Sequence, residues 1–411
     1  MNKLLSELDL KLKFYSLNDL VYVIPDNSIP TTYLSIYFLS GSYLESISKL
    51  GLNYLVFKTL IRSTKKFKYE DLNYYLEKYS ISVSSFAGYF NSGISLSFPF
   101  YNYKEALYAL NSIIYDYIFR TSDLEEVKRD SINSIKILKD DIYSYLTAYA
   151  DKAFYNSFLA NDVKGNIKNI KKFTRKDLIN WYENLINSKD IKKIIIISGY
   201  TNPTFEQQVF KNFKKILNKD NNYISKMSDF DIVPKRITHR LKKVETGIAI
   251  IYPAPTYNLD FFNYRIISSI LGSMSGRLFV NIREKQELAY AISSYYEPLP
   301  VKAGSIKFTM LTSKENKNKA LNALLNEVND IIKNGFKEDE IITAKNYIIG
   351  NYIDNFIKRS FKASLLAKSI LFDIPLEFTN NYINYINSVN KDTINSKLDY
   401  FKNKPGIFIV F

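Results

Sequence analysis

The sequence predicts an α+β protein made of two homologous halves, each an antiparallel-rich sheet covered by helices. Three observations predict it. One order of strand-like and helical segments occurs twice, a stretch without periodicity separates the two occurrences, and each occurrence closes with a short strand-like run. The 411 residues are too many for one ordinary domain, and 46% of them are hydrophobic, which is enough for a core in each half.

The first half begins with strand-like runs and continues into helices. Turn-forming residues interrupt the alternating runs LVYVIPDN and TTYLSIYFLSGS. Leu52, Leu55, Val56 and Leu60 then follow the spacing of one helical face, and a second helix is predicted at about 69–79. The strand pair ISVSSFAGY and SGISLSFPF and the helix YKEALYALNSIIYDYIF complete this series.

The second half repeats this order. It contains the strand TGIAIIYPAPT, the helices FFNYRIISSILGS and RLFVNIREKQ, the strand pair LAYAISSYYEP and GSIKFTMLTS, and an amphipathic helix that ends at Gly335. A long helical stretch follows in each half, at about 123–160 and 338–370, and a strand closes each half, at 192–200 and 406–411. We therefore predict an internal duplication.

The duplication also predicts which helices and which segments correspond. The helix at 51–62 is expected to match the helix at 261–272. We predict an N-terminal half at 1–218, a linker at 219–243 that lacks periodicity and is rich in Asn, Asp, Ser and Lys, and a C-terminal half at 244–411.

Cysteine and histidine counts exclude several kinds of site. Cysteine is absent, so disulfides, thiolate metal sites and cysteine nucleophiles are excluded within this chain. His239 is the single histidine, so a metal site of two or three histidines cannot form from this chain alone. Because His239 lies in the predicted linker and no G-x-S-x-G turn accompanies it, we expect a solvated surface residue.

The net charge of +15 raises the question of nucleic acid. The lysines are spread through connecting stretches, and no RNA-binding signature is present, so a nucleic-acid binder is the weakest alternative. No apolar run reaches the ~18 residues that span a bilayer. The N-terminal stretch mixes charged residues into its leucines, so we expect no membrane partner, no signal peptide and a cytoplasmic location.

Three segments resemble the pitrilysin/insulinase-type zinc metallopeptidases, in the size class of the mitochondrial processing peptidase subunits. GSYLESISKLGLNYLVFKTL resembles the segment with the inverted zinc motif His-x-x-Glu-His, LEKYSISVSSFAGYFNSGISLSF resembles the substrate-edge strand, and SGRLFVNIREKQELAY resembles S-x-R-L-x-x-x-I-R-E-x-x-x-L-A-Y. The resemblance covers nearly the whole chain. It implies two α+β halves that form a clam shell when paired with a second subunit.

The resemblance also implies that the zinc motif is degenerate. In the family, two His and a later Glu hold zinc, and the Glu of the motif activates water. Tyr54, Phe57, Lys58 and Ser134 occupy the four matching positions. A phenol stays protonated near neutral pH, Phe57 has no acceptor, and Lys58 is itself a cation. We therefore expect no zinc or other cofactor in this chain and no enzymatic activity by itself.

The substrate-binding motif of the second half is retained. The family's Arg and Tyr, which bind the substrate carbonyl and stabilise the oxyanion, correspond to Arg283 and Tyr290. Two structural alternatives remain open: Arg283 pairs with Glu284 or Glu287, and Tyr290 is a strand core residue. The family's peptide edge strand corresponds to Ser84, Ser85, Phe86 and Ala87.

Together these matches imply a non-catalytic subunit of a heterodimeric zinc endopeptidase. This chain would supply the Arg–Tyr pair, and a paralogous partner would carry the zinc motif and its zinc. Peptide or unfolded protein is the expected substrate. The alternative is a non-enzymatic scaffold or peptide-binding protein of the same fold.

Overall fold

The computed structural model describes residues 10–217, 230–300 and 303–411 of the chain. Helices make up 50% and strands 20% of it, so the predicted α+β class is confirmed. The chain forms two compact units, each assembled from separate segments. Within the described residues, the first unit contains 10–135, 162–217 and 355–380, and the second contains 136–161, 230–300, 303–354 and 381–411.

These units differ from the continuous halves 1–218 and 244–411 because two segments are exchanged. The helix Ile142–Tyr149 packs on strands of the second unit, and the helix Arg359–Leu371 packs on strands of the first. Arg359 anchors the latter helix, since its guanidinium donates to the carbonyl of Ile29 at 2.9 Å. The sequence pattern places a helix but does not say which sheet the helix covers.

The first unit is built on a six-stranded sheet. Its order is β1-β2-β7-β3-β5-β4. The sheet is antiparallel except for the parallel pair β2–β7, and β7 is buried along its whole length. Its strands are β1 Tyr15–Leu17, β2 Val21–Pro25, β3 Thr31–Phe38, β4 Ser82–Ala87, β5 Ser92–Pro99 and β7 Lys193–Gly199.

The second unit is built on a five-stranded sheet and a small two-stranded one. The larger sheet has the order β11-β12-β10-β13-β9, and β6 pairs with β8 in the smaller. The strands are β6 Tyr155–Asn156, β8 Asp231–Ile232, β9 Arg236–His239, β10 Glu245–Ala254, β11 Ala291–Glu297, β12 Gly304–Ser313 and β13 Gly406–Val410.

The two larger sheets share one topology. Strands β4, β5, β3, β7 and β2 correspond in order to β11, β12, β10, β13 and β9. In both sheets the last pair, β2–β7 or β9–β13, is parallel, and the other corresponding pairs are antiparallel. The strand order therefore agrees with the predicted internal duplication.

Part of the predicted linker belongs to the second sheet. Residues 219–229 lie outside the described residues. Within the remainder, β9 runs parallel to β13, with His239 opposite Val410, so this part is an edge strand rather than a connection only. The short strand lacks a period-2 apolar pattern because most of its side chains are exposed.

Helices cover both sheets. Those of the first unit are α1 Leu52–Leu60, α2 Tyr69–Lys78, α3 Tyr103–Tyr115, α4 Thr121–Ile137, α6 Ile167–Lys172, α7 Arg175–Asn187, α8 Pro203–Phe213, α12 Arg359–Leu371 and α13 Glu377–Asn380. Those assigned to the second unit, with α11 extending two residues beyond it, are α5 Ile142–Tyr149, α9 Asp260–Gly272, α10 Lys317–Asn334, α11 Glu338–Phe356, α14 Tyr382–Ser388 and α15 Lys391–Asn395.

Candidate functional site

Helix α1 begins at a buried carboxylate. The Glu45 carboxylate accepts hydrogen bonds from the backbone N–H of Gly51 at 3.0 Å and of Asn53 at 2.6 Å, which satisfies donors that a helix start leaves free. Burial raises the pKa of Glu45 to about 7, although these backbone bonds act in the opposite direction. Gly51 has a φ of 97°, and a Cβ there would lie 2.3 Å from the carbonyl oxygen of Lys164.

The side chain of Asn53 bonds the first turn of α1 to two neighbouring elements. Its amide donates to Ser92 Oγ at 2.6 Å, and its carbonyl oxygen accepts from Trp181 Nε1 at 3.1 Å. Ser92 belongs to β5 and Trp181 to α7, so both the sheet and a second helix hold the first turn of α1. The side chains farther along α1 therefore have a defined position.

Three of the four degenerate zinc positions share one pocket. Tyr54, Lys58 and Ser134 line a cavity of about 370 Å³ in the first unit, which we call the Lys58 pocket. Its other polar lining residues are Arg62, Tyr69, Asn73, Asp130 and Ser131. Burial raises the pKa of Tyr54, and the carboxylates of Asp162 and Asp130 add to this effect.

Phe57 does not belong to this pocket. Its side chain is 0% exposed and its ring lies 5.5 Å from that of Phe38, in the core of the first unit. The four positions thus provide a protonated phenol, a hydrocarbon ring, an ammonium and a hydroxyl. These groups do not fit Zn²⁺, which binds imidazole, thiolate or carboxylate. Within residues 10–217, 230–300 and 303–411, no cluster of three or more His, Cys, Asp or Glu has the geometry of a metal site.

Lys58 is bonded to the edge strand. Its Nζ donates to the carbonyl oxygen of Ser85 at 3.0 Å, and it lies 5.8 Å from the ring centroid of Tyr54. The side chain is half-buried, and burial lowers the pKa of Lys58. No ion pair joins Lys58 to a carboxylate in the described part of the chain.

Strand β4, which contains Ser84, Ser85, Phe86 and Ala87, is the outermost strand of its sheet. The N–H of Gly88 donates to Asn91 O, so Gly88, Phe86 and Ser84 direct their backbone groups toward β5. The alternate residues, including Ser85, direct theirs toward the free edge, which agrees with the bond from Lys58. The edge therefore presents N–H and C=O groups to an additional strand.

The second unit contains a matching contact. Helix α9 packs against the edge strand β11 as α1 packs against β4. The predicted match of 51–62 with 261–272 pairs Lys58 with Ser268, and Ser268 Oγ donates to the carbonyl oxygen of Ser294 on β11 at 3.2 Å. If this predicted match holds, one helix position bonds to the edge strand in both units, through an ammonium in one and a hydroxyl in the other.

Arg283 and Tyr290 lie in the second unit, and both are exposed. Arg283 is in a π-helical turn, and its guanidinium lies 4.7 Å from the ring centroid of Phe279. Tyr290 is 56% exposed, and its backbone N–H donates to Leu311 O at 2.8 Å. Tyr290 is not a core residue, so that structural alternative is wrong. Arg283 does lie exposed on a helical turn, but among the described residues no ion pair joins it to Glu284 or Glu287.

Part of the chain matches a known protein family. Residues 172–348 match the family model described as the peptidase M16 inactive domain. This part of the chain is similar to the peptidase M16 inactive domain, which supports a zinc-lacking, M16-like protein. The match to an inactive domain also supports a non-catalytic protein.

Solved structures show that the chain shares its fold with known proteins over almost its full length. A peptidase M16 inactive domain from Pseudomonas fluorescens is 16% identical, with a TM-score of 0.83 and 97% of each chain covered. A protease from Helicobacter pylori is 17% identical, with a TM-score of 0.82 and coverage of 97% of this chain and 99% of that one. A chain of complex III2 from Candida albicans, with Inz-5 bound, is 13% identical, with a TM-score of 0.78 and coverage of 97% and 95%.

Sequence reasoning missed several residues of the site. Arg62 and Asp130 line the Lys58 pocket, and Arg62 forms an ion pair with Glu126. Asp130 lies on α4 four residues before Ser134, and Arg62 lies just beyond the end of α1, four residues after Lys58, so this spacing was the available signal. The role of Glu45 had no comparable signal, because it reaches the helix start from six residues before Gly51 rather than from a capping box.

Proposed function

We propose that this chain is the non-catalytic subunit of a heterodimeric zinc endopeptidase. In this proposal a zinc-motif paralogue holds the zinc, and the present chain contributes Arg283 and Tyr290. The proposal rests on the exposure of these two side chains. Neither is buried in the packing of the second unit, so both are accessible to a substrate. A guanidinium and a phenol are both hydrogen-bond donors, as stabilisation of a substrate oxyanion requires.

We further propose that the first unit captures peptide as an added strand on β4. Strand addition uses backbone N–H and C=O groups, and the outward groups of this edge strand supply them. The substitutions at Tyr54, Phe57 and Lys58 change side chains only. They therefore remove zinc chemistry without removing the backbone groups that hold an extended peptide.

Reconstitution with a zinc-motif paralogue tests the Arg–Tyr role. Loss of one oxyanion donor typically lowers turnover about 10²–10³-fold, and we expect this for Arg283→Ala and for Tyr290→Phe in the reconstituted pair. Assembly, measured by size-exclusion chromatography, should be unchanged, since both side chains are exposed.

Two variants serve as matched controls. Arg240 is exposed and its guanidinium also lies over an aromatic ring, at 5.8 Å from the ring centroid of Phe411. Tyr347 is 60% exposed and belongs to the same unit. Arg240→Ala and Tyr347→Phe should leave turnover unchanged. If all four variants behave alike, or if the paralogue is equally active alone, the Arg–Tyr role is refuted.

The second candidate function is a non-enzymatic scaffold or peptide-binding protein. Its support is the likeness to a chain of complex III2 from Candida albicans. A scaffold needs no zinc-motif partner. Affinity purification from the source cell separates the two candidates, because only the subunit proposal requires a copurifying paralogue with the zinc motif.

A further inference from the structure

We propose that the Lys58 pocket binds a carboxylate of the peptide that joins β4, so that this chain selects acidic segments. The inference rests on the proposed peptide capture at β4 and names the chemistry that the pocket would recognise. A carboxylate has two sources in a peptide, an acidic side chain and the C-terminus. The experiment below distinguishes them.

The ammonium of Lys58 has unused donors. A lysine ammonium carries three N–H groups, and in the described part of the chain only the carbonyl oxygen of Ser85 accepts from it. Arg62, the other cation of the pocket, is already paired with Glu126 and lies over the ring of Tyr69 at 4.2 Å. Lys58 is thus the half-buried cation of this pocket whose charge no carboxylate compensates.

The positive charge exceeds what the contact with the edge strand requires. In the second unit, the hydroxyl of Ser268 makes the corresponding bond to Ser294 at 3.2 Å. A neutral donor therefore suffices to bond the helix to the edge strand. Burying part of an ammonium costs free energy, and burial lowers the pKa of Lys58 for that reason. Binding of a negatively charged ligand would account for an ammonium at Lys58, whereas Ser268 has only a hydroxyl.

Strand addition would also change the hydrogen bond of Lys58. Ser85 directs its carbonyl toward the free edge of β4, where the N–H of an added strand would donate a hydrogen bond to it. The incoming N–H would share or replace the bond from Lys58. The released ammonium then lies beside the bound peptide and in contact with a cavity of about 370 Å³, which is large enough for a carboxylate side chain.

Asp130 opposes this preference to some extent. It lines the same pocket, but it is exposed on α4, where water screens its charge, whereas Lys58 is half-buried. Removing the Asp130 charge by Asp130→Asn should therefore tighten binding of an acidic peptide without changing binding of a neutral one. This gives the proposal a second variant whose expected effect has the opposite sign.

The test is fluorescence anisotropy with three labelled peptides of matched sequence on the full chain. One has a single Glu scanned along its centre and an amidated C-terminus, one has Gln instead, and one has Gln and a free C-terminus. A charge-assisted hydrogen bond contributes about tenfold in affinity at a half-buried site, so the better carboxylate peptide should bind about tenfold tighter than the neutral one. Tighter binding of the first or of the third peptide, relative to the neutral second one, identifies the carboxylate source.

Three variants complete the test. Lys58→Gln retains a donor for Ser85 but removes the charge, so it should bind all three peptides as the neutral one is bound. Lys58→Arg should retain the preference. Lys345 is a matched control in the second unit, since it is half-buried and its Nζ donates to Asn387 O at 2.9 Å; Lys345→Gln should leave the preference intact.

Several results would overturn the inference. Equal affinity of the wild type for all three peptides refutes carboxylate selection while leaving peptide capture in place. Equal effects of Lys58→Gln and Lys345→Gln show that net charge, not the pocket, is responsible. Absence of binding by any peptide refutes both carboxylate selection and strand capture, and it leaves the Arg283 and Tyr290 experiment as a separate test of the subunit role.

Discussion

The Nζ of Lys58 on α1 donates a hydrogen bond to the carbonyl oxygen of Ser85 on β4, at 3.0 Å. In the peptidase M16 family, as the motif resemblance implies, this helix position holds a zinc ligand. In the present chain it joins the helix to the outermost strand, as Ser268 does in the second unit. In this chain the position connects the helix to the proposed peptide edge.

The geometry of the degenerate zinc positions predicts how zinc binding changes when histidines are introduced there. The wild-type chain should bind no stoichiometric zinc. Tyr54→His combined with Lys58→His places two imidazoles at i and i+4 on the pocket side of α1, which should bind zinc weakly. Peptidase activity should stay absent, because Phe57 lies in the core and offers no general base. Metal analysis after dialysis and a peptide-cleavage assay measure both outcomes.

This expectation fails in either of two ways. Copurification of about one zinc per wild-type chain, lost on substitution of Tyr54, Lys58 or Ser134, would show that the site holds metal after all. Peptide cleavage by the double variant would show that some residue other than Phe57 supplies the base.

Gly51 should be intolerant of a side chain. Its φ of 97° lies in the left-handed region, and a Cβ would lie 2.3 Å from the carbonyl oxygen of Lys164. We expect Gly51→Ala to lower the free energy of unfolding by at least about 2 kcal/mol, measured by urea denaturation. Gly350, within α11, has no heavy atom within 4 Å of its Cβ position. Gly350→Ala should instead stabilise by up to about 1 kcal/mol. Equal effects of the two variants would contradict this assignment.

His239 should titrate below its ordinary range. Burial lowers the pKa of His239, Lys152 and Lys139 lower it further, and its ring stacks on Tyr145 at 5.2 Å. The folded chain therefore binds fewer protons at this site than the unfolded chain just below pH ~6.5, so its contribution to stability decreases as the pH falls through that window. Because His239 is the single histidine, its ring proton gives an unambiguous NMR titration. A midpoint at or above ~6.5 would contradict the described environment.

Lys307 should be important for the second unit. Its Nζ lies 2.6 Å from Asp151 and 2.7 Å from Glu297. Burial opposes its charge, but Asp151 and Glu297 hold the pKa of Lys307 above its usual value. Lys307→Met leaves the Asp151 carboxylate buried without a cation and should cost about 3–5 kcal/mol in unfolding free energy.

A matched control and a double variant test this explanation. Glu297→Gln should cost no more than roughly 1 kcal/mol, because 45% of that side chain is exposed to solvent and the amide keeps a hydrogen-bonding group there. Lys307→Met combined with Asp151→Leu should recover much of the loss, since no buried charge remains. If Lys307→Met costs as little as Glu297→Gln, the ion pair does not stabilise the unit.

Much of the fold follows from sequence patterns, and the remainder depends on contacts that patterns do not record. The repeated element order predicts the shared topology of the two sheets, because strand and helix periodicities are local. The exchange of the segments that contain α5 and α12 depends on which sheet each helix covers, which periodicity does not specify.

The candidate site, like the fold, could be predicted from the sequence only in part. Tyr54, Lys58 and Ser134, which the motif spacing singled out, line one pocket, and the i, i+4 spacing explains why Tyr54 and Lys58 share a helical face. It did not show that Phe57 packs on Phe38, nor that Glu45 caps the helix, since both depend on tertiary contacts.

Hydrogen–deuterium exchange of β4 tests most directly whether peptide capture persists in a chain without a zinc site. We expect saturating peptide to slow exchange in the segment 82–88, whose outward N–H groups would bond to the added strand, while the segment 291–297 keeps its exchange rate. Peptides that bind without slowing exchange in 82–88, or that protect 291–297 instead, would contradict capture at this edge.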